Sequence, residues 1–61
     1  MATEEQKQDA SQGGYTVRLV GKGTYDTYVI YRHGAEQPGE FGLLESAWDE
    51  AVARRLREYE H

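Results

Sequence analysis

The sequence predicts a small α+β fold, with two or three antiparallel strands packed on one C-terminal helix (ββα or βββα) behind a disordered N-terminal tail. Three observations predict it. Two runs of alternating apolar and polar residues, rich in Tyr, Val, Ile and Thr, flank the glycine-rich Gly21-Lys22-Gly23-Thr24, the pattern of an antiparallel hairpin. Leu44, Trp48, Val52 and Leu56 recur every four residues, which lays an apolar stripe along a helix. Residues 1–14 show no hydrophobic period and end on Ser11-Gln12-Gly13-Gly14, so they form the tail and residues 15–61 the single domain.

The hairpin strands are residues 15–20 (YTVRLV) and 25–32 (YDTYVIYR). The glycines between them permit the positive φ of a tight turn. Turn length fixes the register and with it the faces. A three-residue turn, pairing Gly21 with Tyr25 or Val20 with Thr24, is favoured because it gathers both arginines away from the core. One face then carries Tyr15, Val17, Leu19, Tyr25, Val29 and Tyr31, and the other Thr16, Arg18, Val20, Tyr28, Ile30 and Arg32. A two-residue turn at Lys22-Gly23 would instead set Tyr28 and Ile30 beside Val17 and Leu19.

Residues 33–40 read as a connection in which Pro38-Gly39 suits the centre of a type II turn. Phe41-Gly42-Leu43-Leu44 is the candidate third strand, since a lone hairpin is marginal in water; the alternative is a loop whose Phe41 plugs the core. In the helix, Ser46 is the expected N-cap with Asp49 three residues on. Ala47, Ala51 and Tyr59 flank the apolar stripe. Acids lie at the start of the helix, and Arg54, Arg55 and Arg57 lie toward its end, as the helix dipole favours.

The net charge of −4 is uneven. Glu4, Glu5 and Asp9 against Lys7 make the tail acidic. Arg18, Lys22 and Arg32 against Asp26 make the hairpin basic, and seven acids against three arginines make the remainder acidic. The acids could present a negative surface to a basic partner, but the helix arginines interrupt that field, and a solvated face explains them better. The chain lacks cysteine, which excludes disulfides and thiolate metal sites. It has neither an apolar membrane span nor a secretory leader pattern, so a cytoplasmic protein is expected.

No residue pattern carries catalysis. A P-loop needs four residues between its glycines, Lys followed by Ser or Thr, and a helix next. Here Lys22 is followed by Gly23 and a strand, which reads as a turn. His33 with Glu36 and Glu40 is a thin metal-ligand set without a second interior histidine, and no cofactor or metal is expected. Ser11 lies in the tail and Ser46 at the helix start, neither beside a base.

Domains this small usually need an extra source of stability, and association is the common one when disulfides are absent. The expected role is therefore a non-enzymatic protein-interaction module, an accessory or inhibitory factor acting as a homodimer or bound to a larger protein. The expected contacts are Arg18, Val20, Tyr28, Ile30 and Arg32, a bare Tyr/Arg sheet face that a partner would cover with Arg18 and Arg32 at its rim, because Tyr and Arg suit interfaces. The alternative is a small nucleic-acid-binding protein, with tyrosines stacking on bases and Arg18, Lys22 and Arg32 meeting phosphates. The overall acidity weighs against it.

Overall fold

Two turns make residues 15–36 an antiparallel meander. Gly23 adopts φ 85° between the first two strands, and His33 and Gly34 adopt φ 52° and 83° between the second and third. Two consecutive positive φ values are what a two-residue type I′ hairpin turn requires. The computed structural model describes residues 1–60. In chain order its elements are α1 (Glu4–Gln12), β1 (Tyr15–Gly21), β2 (Asp26–Arg32), β3 (Ala35–Glu36) and α2 (Leu44–Glu58). The sheet order is β1-β2-β3. The expected α+β architecture is present, with an antiparallel sheet on a C-terminal helix.

The N-terminal segment is a helix rather than a disordered tail. Thr3 caps it: its hydroxyl accepts from the Gln6 amide, and the Gln6 side chain accepts from the Thr3 amide, which satisfies two end donors at once. Nine residues, all polar but Ala10, would not hold a helix in isolation. Tertiary contacts hold this one. Ala10 is buried in the core, Lys7 pairs with Glu45 at 3.6 Å, and Asp9 lies 3.6 Å from Arg55 and accepts a 2.7 Å bond from the Tyr59 hydroxyl.

The register also departs from the expected one. Gly21 pairs with Asp26, Leu19 with Tyr28, Val17 with Ile30 and Tyr15 with Arg32, so the connection is four residues and parity shifts by one. Opposed residues share a face. Tyr15, Val17 and Leu19 therefore stand with Tyr28, Ile30 and Arg32 on the helix side, and Arg18 and Val20 stand with Thr27, Val29 and Tyr31 on the other. The physical reason is core filling. This register places Ile30, fully buried, beside Val17 and Tyr28 against Ala10, Ala47, Ala51 and Val52.

The third strand is Ala35–Glu36 rather than the stretch from Phe41. Phe41 contributes one bridge, exchanging both backbone bonds with Tyr28, and its ring packs against the core. Gly39 takes φ 110° in the connection, the backbone region expected for the second central residue of a type II turn. α2 begins two residues before Ser46, with Leu43 at the cap position and no side-chain cap bond. Its buried positions are Ala47, Ala51 and Val52, while Leu44 and Leu56 stay exposed. Both the sheet and α1 meet α2, and small residues at the contact let the backbones approach closely.

Candidate functional site

In an antiparallel pair, opposed residues alternate between hydrogen-bonded and non-bonded positions. Two bonds fix the phase for β1: the His33 amide donates to the Gly14 carbonyl, and the Lys22 amide donates to the Tyr25 carbonyl. By alternation Thr16, Arg18 and Val20 turn their amides and carbonyls toward β2. Tyr15, Val17, Leu19 and Gly21 turn theirs outward. β1 is an edge strand, so among the described residues no further strand meets these groups. The opposite edge, β3, is two residues long.

The Tyr15 end of this edge is closed, because Tyr15 is buried in the core. The other end is open. Leu19 lies on the helix side, in a row across the sheet with Tyr28 and Phe41, yet 58% of it is exposed. Leu43 and Leu44, just after Phe41, are also exposed. An exposed large apolar residue, Leu19, and outward backbone groups thus occur together on β1, the combination that invites strand addition.

The five expected contact residues do not form one surface. Arg18 is exposed and Val20 half-buried, both on the side away from α2. Tyr28 is half-buried against the core and Ile30 fully enclosed by it. Arg32 turns to α2, where its guanidinium lies 2.6 Å from Glu58 and over the Tyr15 ring at 5.1 Å. Nor is the sheet side opposite α2 bare. Val29 at its centre is only 1% exposed, with Arg18 lying over Tyr31 beside it at 5.3 Å. From the hairpin tip, Lys22 reaches Glu36 at 3.5 Å and the Tyr25 hydroxyl donates to Glu40 at 3.2 Å.

Polar side chains converge at the closed end. Glu58 accepts a 2.8 Å bond from the Tyr15 hydroxyl and a 3.0 Å bond from Arg55, in addition to pairing with Arg32. Arg55 also lies over Tyr59 at 4.7 Å. Bulk would intrude here: a Cβ on Gly13 would stand 2.8 Å from Arg55, and one on Gly14 would stand 2.4 Å from the His33 ring. These groups pair with one another and tie both helices to the sheet, so they serve as a clasp, although Arg32 Nε and Arg55 Nε are buried without a hydrogen-bond partner. His33, Glu36 and Glu40 are likewise apart in role: the ring lies against Gly14, and the carboxylates serve Lys22 and Tyr25.

The clasp has a pH signature. The Tyr15 hydroxyl, and after it Arg55 and Arg32, hold the Glu58 carboxyl below its ordinary 4.5. Its contribution to stability is therefore present above the unfolded value and is lost as pH falls through the folded one. Burial, followed by the bond to Glu58, pushes the Tyr15 hydroxyl above its ordinary 10.0. That contribution is present below the unfolded value and is lost as pH rises through the folded one. Melting temperature measured against pH should thus show a plateau between these limits, and Glu58→Gln should flatten the acid limb. An acid limb identical in the variant would contradict the role given to Glu58.

The open edge went unread in the sequence, although a signal for it exists. His33-Gly34 sets a residue type enriched at positive φ before a glycine, as a two-residue type I′ turn requires, and a meander built on it leaves β1 outermost. Compared with known protein families, curated proteins and solved structures, the chain matches none. Among the described residues no helix is long and apolar enough to cross a membrane.

Proposed function

We propose that this chain is a non-enzymatic protein-interaction module that takes an extended segment of a partner protein along the edge of β1. The observation that carries this reading is the outward-facing backbone of Val17, Leu19 and Gly21 beside an exposed Leu19. Main-chain bonds supply affinity in strand addition, and alternate side chains supply specificity. An occupied edge also covers the apolar end that α2 leaves open. The polar groups at the closed end are engaged with one another and are left out of any chemistry. The nucleic-acid reading loses cationic support, because Lys22 and Arg32 are already paired with Glu36 and Glu58.

A photoreactive residue at the exposed Thr16 tests this in the native host. The expected cross-link maps to one short segment of a partner and disappears with Leu19→Pro. That proline removes only an outward amide, which edge strands tolerate. If Leu19→Pro fails to melt cooperatively, Leu19→Lys replaces it, because an edge charge blocks pairing without touching the backbone. Cross-links that survive both variants overturn the proposal. So does a mass that doubles in sedimentation at micromolar concentration, which would make a second copy the occupant.

A further inference from the structure

Resting on that reading, we infer that the segment β1 accepts is an acidic–apolar alternating strand, with a carboxylate across from Arg18 and an apolar side chain beside Leu19. Arg18 differs from every other lysine and arginine among the described residues. Lys7, Lys22, Arg32, Arg54, Arg55 and Arg57 each have a carboxylate within ion-pair distance, and Arg18 has only the Tyr31 ring. It is exposed, at the middle of the open strand.

Its place in the ladder sharpens the point. Arg18 bonds inward to β2, so toward an incoming strand it occupies a non-hydrogen-bonded position, where opposed side chains come closest. Opposite charges across such a pair attract and like charges repel. Leu19, next along, points to the other side, so a strand that answers both must alternate acid with apolar residue.

The same residue disfavours a second copy. Residues 15–21 contain neither Asp nor Glu, so β1 paired with itself cannot supply the missing carboxylate. Two-fold pairing centred on Arg18 would set it against its own copy, and pairing centred on Leu19 would set it against Val20. A lysine-bearing strand meets the same repulsion.

Two end-blocked heptapeptides serve as probes, Thr-Val-Glu-Leu-Glu-Val-Thr and its counterpart with lysine in place of both glutamates. Either direction of docking sets their central leucine beside Leu19 and a charge across from Arg18. Titrated into isotope-labelled protein, the acidic peptide should shift the amide signals of Val17, Leu19 and Gly21 in a saturable way. It should bind about tenfold more tightly than the lysine peptide, less so at high salt. Arg18→Glu should reverse the order, and Arg18→Gln should abolish the preference should the reversal variant fold poorly.

Equal binding of both peptides, unaffected by Arg18→Gln, overturns the acidic preference and leaves edge docking standing. Shifts confined to other residues overturn the inference; a Leu19-dependent cross-link from Thr16 would then still uphold edge docking, and its loss would overturn both.

Discussion

Ile30→Ala is expected to cost about 2–5 kcal/mol, the range for truncating a fully buried isoleucine. Ile30 has no exposed surface and sits with Tyr15, Ala10, Ala47, Ala51 and Val52 at the centre of the core. Alanine removes the transfer energy of three carbons and leaves a cavity that a thin two-layer packing closes only in part. A chain of 61 residues holds roughly 3–9 kcal/mol in total, so this one substitution removes a large share of it. Urea unfolding should show a much lower midpoint with the slope preserved. On an exposed sheet face the same change would fall within about 0.5 kcal/mol, and a shift that small would contradict the register.

Ala10→Asp should have the second largest effect, in a segment whose composition reads as tail. Ala10 is fully enclosed where α1 meets the core. An unpaired carboxylate forced to stay there costs about 3–5 kcal/mol. The segment has an escape, because α1 can undock, and the measured loss is then capped at the free energy of docking. Nine residues cannot stay helical once released. The expected result is a lower melting temperature together with a smaller far-ultraviolet circular dichroism signal. Circular dichroism and thermal melting on the purified variant read both, and a disordered tail would leave both unchanged.

The hairpin and α2 are legible because each rests on a local period. Alternation over residues 15–20 and 25–32, and the four-residue recurrence from Leu44 to Leu56, survive any packing arrangement. What escapes the period is which part of the stripe is buried. Leu44 and Leu56 belong to it and are exposed, while Ala47 and Ala51 beside it are enclosed. Two neighbours meet α2 rather than one, and the second is α1. The Thr3-to-Gln6 capping box and the acids at Glu4 and Glu5 announce a helix start. Whether a short polar helix persists depends on Arg55, Tyr59 and Glu45, which lie far along the chain.

Of the five expected contacts, Arg18 and Val20 lie on the sheet side away from α2, and Arg18 is exposed with no carboxylate within ion-pair distance among the described residues. A three-residue turn would set Tyr28, Ile30 and Arg32 on the face of Arg18, and the four-residue connection moves all three to the helix side. A side chain's face on its own strand is fixed by local chemistry, so alternation within each run is certain. The relation between two strands turns on the number of residues in their connection, and two glycines at 21 and 23 permit several counts with nearly equal ease. The choice among them is made by the core, which gains most when Ile30 stands beside Val17 and Tyr28.

By itself, then, the sequence determined the hairpin, the C-terminal helix and the distribution of acids and bases. Tertiary structure alone decided the register, the clasp around Glu58, the helix at the N-terminus and the outermost position of β1. The physical reason is range. Periodicity and capping act over one turn or one strand, whereas burial and edge exposure depend on which distant segments come to lie alongside.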